Sequence, residues 1–230
     1  MESPLSLVAG GTGLVGSHVI KVLSKKPGTQ IILARSFESE TPQNAELQII
    51  NFDSLGSNKV QLKNGIDHVY ICLGKKLSTH ELGYMQHNAR ESFKLVDFDY
   101  SLKIAKLAYD SGARSIALVS AVGAQEGSFN YYFHIKGKLE NEIRKIGYEY
   151  ICFARPGHLL GARKDFRGYE IPILESGLKI AAPFMQGPLM NFRQIEAERV
   201  AESMVMNLLN RTKGETYLYY KDFLRTDTFE

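Results

Sequence analysis

Cysteine is scarce: Cys72 in VYICLG and Cys152 in YICFARP are the whole supply. Two thiols set inside apolar, strand-like runs exclude a disulfide framework and suit a reducing compartment. No run of five like charges occurs either. With 28 basic and 25 acidic residues, the net charge of +3 is small and scattered. It gives no reason to expect nucleic acid or a membrane surface as partner. The apolar runs are only a few residues long, too short for a transmembrane helix. The N-terminus is apolar, but Glu2 stands where a basic region belongs, and glycines from Gly10 onward break the apolar run. It does not read as a signal peptide, and a cytoplasmic protein is expected.

What is present is an alternation of short apolar runs and longer amphipathic ones. Strands are expected at 5–9, 30–34, 47–52, 66–73, 115–120, 148–154 and 215–220. Helical spacing covers 14–26, 84–111, 130–146 and 194–210. Strands rich in Ile, Val and Leu between helices predict a parallel sheet covered on both faces. The expected fold is α/β, a Rossmann-like doubly wound sheet of about seven strands. The 230 residues fit one domain, 1–230, with the Gly- and Pro-rich segment 156–192 as a small substrate or lid segment.

Four glycines crowd the stretch LVAGGTGLVGSH at 7–18. Gly10, Gly13 and Gly16 form G-x-x-G-x-x-G between the first strand and the first helix. The first permits a tight turn, the second lets backbone approach a pyrophosphate, and the third lets the helix pack on the strand. The helix N-terminus then offers free N–H groups and its positive dipole end. Thr12 and Leu14 lie in the same turn. A P-loop is excluded, because Ser17 stands where lysine must reach the phosphates. At the end of the second strand, ILARSF places Arg35 and Ser36 where an NAD site presents an acid. A guanidinium matches a ribose 2′-phosphate, so NADP(H) is the expected cofactor. Asp53, after the third strand, is placed to meet the adenine edge, and Gly74 closes the fourth.

Residues 118–140 read LVSAVGAQEGSFNYYFHIKGKLE. Ser120 ends the fifth strand. Tyr132 and Lys136 come after it at i, i+4 on one helical face. A tyrosine alone titrates near pH ~10. An ammonium one turn away is expected to lower that value and make Tyr132 an acid–base group, with Ser120 holding the same substrate oxygen. Tyr131 has Ile135 at its fourth position and is the poorer candidate. A second Y-x-x-x-K, Tyr217 to Lys221, falls in a strand-like stretch and reads as accidental.

The order glycine turn, serine, Tyr-x-x-x-Lys resembles the short-chain dehydrogenase/reductase superfamily. VDFDYSLKIAKLAYDSGARSIALVSAVGA, FNYYFHIKGKLENEI and FARPGHLLGARKDFRGYE resemble its atypical Tat-interacting-protein oxidoreductase branch. The resemblance runs over nearly the whole chain and is most specific at 96–170. It implies NADPH bound over the strand C-termini and a catalytic trio of Ser120, Tyr132 and Lys136. Lys136 would also hold the nicotinamide ribose, and Arg155-Pro156-Gly157 would border the nicotinamide pocket. The chain departs from the superfamily in two places. Cys72-Leu73-Gly74 replaces its Asn-Ala-Gly turn, and its tetrad asparagine has no clear counterpart.

Other residues carry little. His80, His87 and Glu91 have a metal-compatible spacing if one helix holds them, but no H-E-x-x-H or cysteine cluster supports it, and no metal site is expected. His134 sits at i+2 from Tyr132 and faces elsewhere. His158 lies after the Pro-Gly turn at the cleft, and Lys75-Lys76 lie after Gly74. Two functions fit: an NADP(H)-dependent oxidoreductase acting on a carbonyl or alcohol, or an NADP(H)-binding regulator of a protein partner. Some members of the branch are regulatory, so fold does not settle function. A sugar-nucleotide epimerase would need a larger C-terminal domain than the ~75 residues after the sixth strand. The substrate is not named by any charge pattern, and a homodimer is compatible with the fold without a marked interface.

Overall fold

A computed structural model of the chain describes residues 3–55, 60–161, 185–210 and 213–225. Seven strands form one parallel sheet: β1 (Leu5–Ala9), β2 (Thr29–Ala34), β3 (Ala45–Ile49), β4 (His68–Ile71), β5 (Ser115–Val119), β6 (Tyr150–Ala154) and β9 (Gly214–Leu218). Their order is β3-β2-β1-β4-β5-β6-β9, with every neighbouring pair parallel. β7 (Leu159–Leu160) and β8 (Ile195–Glu196) pair separately, also in parallel.

Alternate strand residues feed two cores. Leu7, Ile31, Val69, Ile116 and Phe153 join one apolar cluster. Val8, Ile32, Tyr70, Ala117 and Cys152, their chain neighbours, join the other. Both faces are therefore dry, which is why the strands read as unbroken apolar runs rather than as an alternating pattern. Helices α1 (Leu14–Leu23) and α6 (Ala197–Asn210) cover one face. The other face carries α3 (His87–Lys94), α4 (Ser101–Asp110) and α5 (Tyr131–Arg144), with α2 (Thr79–Gly83) leading into α3. After β9, α7 (Tyr220–Phe223) returns to the α1–α6 face and buries Phe223 there.

The single helix expected over 84–111 is replaced by three pieces. α2 ends at Gly83, Tyr84 is extended, and α3 begins at His87. Between α3 and α4 the chain widens into a π turn, Leu95–Tyr100. Ser78 and Glu81 form a reciprocal capping box that starts α2, a sequence signal of the S-x-x-E type. Tyr217 lies in β9 and Lys221 in α7, so that Y-x-x-x-K spans two elements.

Strand order runs outward from β1 to β3 on one side and through β4 to β9 on the other. The direction of winding switches between β1 and β4, and in doubly wound sheets ligands bind outside the strand C-termini at such a switch. The parallel register places the ends of β1, β2, β4, β5 and β6 along one edge.

Candidate active site

Every residue expected to hold cofactor comes after a strand on that edge, or faces it. The glycine turn succeeds β1. Gly10 has φ +86°, and a Cβ there would lie 2.6 Å from the Cys72 carbonyl oxygen, so β1 and β4 meet backbone to backbone. A Cβ on Gly16 would lie 2.2 Å from the Gly10 oxygen. The first and third glycines are thus required by the fold itself. The Gly13 N–H donates to that same oxygen at 2.9 Å. As N-cap of α1 it brings no capping side chain, and no acidic residue stands in the first turn. The positive end of α1 is left open beside a bare backbone, the arrangement an anionic pyrophosphate fits. Thr12 is exposed and Leu14 half-buried, the latter so placed that a Cβ on Gly161 would lie 2.6 Å from its Cδ1.

Arg35 and Ser36 are exposed at the end of β2, and the Arg35 guanidinium lies 5.9 Å from the centre of the Phe52 ring. Asp53 sits in a short 3-10 turn after β3, where its carboxylate accepts the Tyr100 hydroxyl. Gly74 is exposed beyond β4. Pro156 is buried after β6, and its carbonyl accepts the Val122 N–H at 3.0 Å.

The reacting side chains stand on α5. Asn130 caps this helix, accepting the Tyr132 and Phe133 N–H groups, while its amide donates to the carbonyls of Leu82 and Gly83. The start of α5 is thereby tied to the end of α2. The loop after Ser120 lies directly on the helix: the Gln125 N–H donates to the Phe133 carbonyl at 3.1 Å, and a Cβ on Gly137 would lie 2.3 Å from the Gln125 carbonyl carbon. Tyr132 packs its ring on Phe93 at 5.6 Å between centres. The Lys136 ammonium is buried and pairs with Asp97 at 2.8 Å. Asp97 is equally buried, and its second oxygen accepts the Lys75 N–H at 2.7 Å.

This pair corrects the expectation of an acidified tyrosine. Burial raises the Tyr132 pKa above its ordinary value; Lys136 lowers it, but Asp97 works against Lys136 and the net direction is upward. Burial opposes the charge on Lys136, yet Asp97, then Tyr132, hold its pKa above the usual lysine value. The ammonium is present, but its charge is already paired.

Ser120 is buried and turned to a second network. Its hydroxyl donates to Glu140 at 2.5 Å. Arg155 donates to both oxygens of the same carboxylate, at 2.9 and 2.5 Å, and to the Tyr219 hydroxyl at 2.9 Å. Arg144 lies 3.7 Å from Glu140 and is held by Glu215 at 2.7 Å. Sequence reasoning missed Glu140, Asp97 and Asn130. A carboxylate on an amphipathic helix looks solvated. Glu140 does stand four residues after Lys136 on the Tyr132 face, a signal present in the sequence.

His80 lies on α2 while His87 and Glu91 lie on α3, so no single helix presents the three. His134 turns its Nδ1 to the Glu126 carbonyl, and Lys75 extends its ammonium to the Ser92 hydroxyl at 2.6 Å. His158 holds the β7–β8 pair through its carbonyl, 2.9 Å from the Ile195 N–H. Most of the lid segment, 162–184, lies outside the described residues.

A family model described as NAD(P)H-binding matches residues 10–209. A mitochondrial protein of Candida albicans, FMP52, is 27% identical over 89% of this chain and 89% of its own. The rat protein HTATIP2 is 26% identical over 74% of this chain and 69% of its own. A solved short-chain dehydrogenase/reductase family protein superposes with a TM-score of 0.66 at 16% identity, covering 94% of this chain and 96% of that one. The FMP52 name overturns the expectation of a cytoplasmic protein and points to mitochondria. Free thiols argue for a reducing compartment but do not single out the cytosol.

Proposed function

The chain belongs to the NAD(P)H-binding family, and from that premise we propose that it is an NADP(H)-dependent oxidoreductase of the Tat-interacting-protein-like branch of the atypical short-chain dehydrogenases/reductases, acting on a carbonyl/alcohol pair. The observation that carries the reading is Tyr132 and the buried Lys136 ammonium on one face of α5, beside an uncapped helix N-terminus and a bare glycine turn.

The cofactor would rest on the Gly10–Gly16 turn with its pyrophosphate at the start of α1, and Lys136 would hold the nicotinamide ribose. Arg35 and Ser36 are exposed where a 2′-phosphate would lie, with Asp53, Gly74 and Pro156 along the same edge. When bound, the cofactor supplies or accepts the hydride. As hydride reaches a carbonyl carbon, the C=O π pair moves to oxygen, the Tyr132 O–H bond breaks, and its proton goes to that oxygen. The tyrosinate left behind takes a proton from water. Ser120 adjoins the reacting face. The FMP52 relative supports a mitochondrial location for this chain too, which fractionation would check.

Calorimetric titration with NADPH and with NADH tests the cofactor, and Tyr132→Phe tests the chemistry. Turnover is expected to vanish in Tyr132→Phe while NADPH affinity stays near wild type. Undiminished turnover would refute the role of Tyr132. A second reading, an NADP(H)-binding regulator without turnover, is favoured by one observation. The only hydroxyl proton of Ser120 goes to Glu140, so this side chain is not free to donate to a substrate carbonyl. In that reading NADPH binds and no carbonyl is reduced.

A further inference from the structure

A carboxylate in the middle of an apolar stretch demands a reason. Asp97 stands between Val96 and Phe98 in the π turn, among the core residues Phe93, Phe98 and Tyr100. A buried carboxylate is strongly disfavoured unless it is paired. Asp97 is 2% exposed and Lys136 5%. Each therefore depends on the other for its place. A regular α-helix through 87–110 would set side chains on a different phase after residue 94; the π turn widens the spiral where Asp97 reaches α5.

The contacts of Asp97 run in two directions. One oxygen takes the Lys136 ammonium, and the other takes the Lys75 N–H just beyond β4. A Cβ on Gly74 would lie 3.6 Å from the Asp97 carboxylate, so the loop after β4 fits closely over it. We propose, building on the oxidoreductase reading, that Asp97 is a positioning residue for the reaction. It fixes the Lys136 ammonium and, by pairing with it at 2.8 Å, offsets part of that charge at the Tyr132 phenol, so the phenol packed on Phe93 is kept as the proton donor to a carbonyl. The chemistry is the reductive direction, with hydride to the carbonyl carbon and the Tyr132 proton to its oxygen.

The charged groups around the phenol are few. Lys136 faces it from α5 and Asp97 from the π turn. Lys136 in turn faces Cys72 at the end of β4 and Glu140 one turn further along α5. Glu140 is occupied by Arg155, and the Lys75 ammonium by Ser92. Removing the Asp97 charge leaves Lys136 as the unopposed neighbour of Tyr132.

The test is an NMR titration of the full chain, without added cofactor, carrying 13Cζ-labelled tyrosine; the Tyr132 signal is the one lost in Tyr132→Phe. In Asp97→Asn its midpoint is expected to fall by at least about one pH unit. In Lys136→Met, where Asp97 stands unpaired, it is expected to rise. Asp97→Glu, which restores the charge, should return the midpoint toward wild type. An unmoved midpoint in both Asp97→Asn and Lys136→Met overturns the proposal, as does movement of both in one direction. If Asp97→Asn does not fold, a fall or no change in Lys136→Met overturns it. The pH profile of carbonyl reduction supplies the second readout: its alkaline limb should move down with the Tyr132 midpoint in Asp97→Asn. Should the midpoint shift while neither protein reduces any carbonyl with NADPH, the electrostatic role stands and the oxidoreductase reading falls.

Discussion

Glu140→Ala is expected to be strongly destabilising. In the native fold the carboxylate takes the Ser120 hydroxyl and two N–H groups of Arg155, with Arg144 at 3.7 Å. Its side chain is 1% exposed, and that of Arg155 16%. Truncation leaves the Arg155 guanidinium, among the described residues, with the Tyr219 hydroxyl and ring and the Tyr217 ring, whose centre is 4.5 Å away. Arg144 suffers less, because Glu215 still holds it. Removing one partner of a buried pair costs about 3–5 kcal/mol. A chain of this size loses roughly 2–4 °C per kcal/mol, so Tm should fall by about 6–20 °C. The assay is thermal unfolding followed by circular dichroism at constant protein concentration. A control sharpens it: Glu140→Leu combined with Arg155→Met removes both charges and should recover part of the loss. A Tm change in Glu140→Ala equivalent to less than about 1 kcal/mol would refute the reasoning, because exposed pairs cost that little. So would a double variant less stable than Glu140→Ala.

Two further outcomes are set by the geometry. Gly16→Ala forces a methyl group to within 2.2 Å of the Gly10 oxygen, a backbone atom that cannot turn aside. The expected cost is about 1–3 kcal/mol of stability, with loss of NADPH binding by calorimetry; unchanged affinity would show that the turn does not hold the cofactor. The fold should also weaken in alkali. Burial pushes the Cys72 thiol up to about 12 and raises Cys152, Tyr70 and Tyr148 as well. These groups stay protonated in the fold while the unfolded chain loses their protons from its ordinary values upward. Their contribution is full below about pH 8.5 and declines as pH rises beyond it, so Tm at pH 10.5 should lie below Tm at pH 7. An equal Tm at both would contradict the burial of these side chains.

The sheet was legible because a parallel strand dry on both faces leaves no polar residue to blur its run. QIILA and SIALV needed no partner to be seen. The glycine turn was legible because its demands are local: a positive φ at Gly10 and a close approach at Gly16 admit few residues. The 84–111 stretch misled because its apolar spacing continues through two interruptions. The first is the extended link from Tyr84 to Gln86 before α3, the second the π turn at Leu95–Tyr100, and neither has a clear signature. Spacing gave Tyr132 and Lys136 a shared face. It did not give the direction of the Tyr132 shift, which burial sets and which Asp97, 39 positions before Lys136 in the chain, reinforces against the ammonium. Ser120 shows the same limit, since its hydroxyl answers to Glu140 and Arg155, which reach it from α5 and the end of β6.

The bare backbone at Gly137 bears on motion. Ser120 and Lys136 belong to separate segments, and where those segments touch, peptide group meets peptide group with no side chain between them. Exposed side chains hop between rotamers in picoseconds to nanoseconds, but a peptide plane has no such freedom. The gap between the strand-end loop and the reacting helix is therefore insulated from rotamer noise. Its width is a property of the main chain, which keeps the loop after Ser120 and the helix bearing Lys136 in one register.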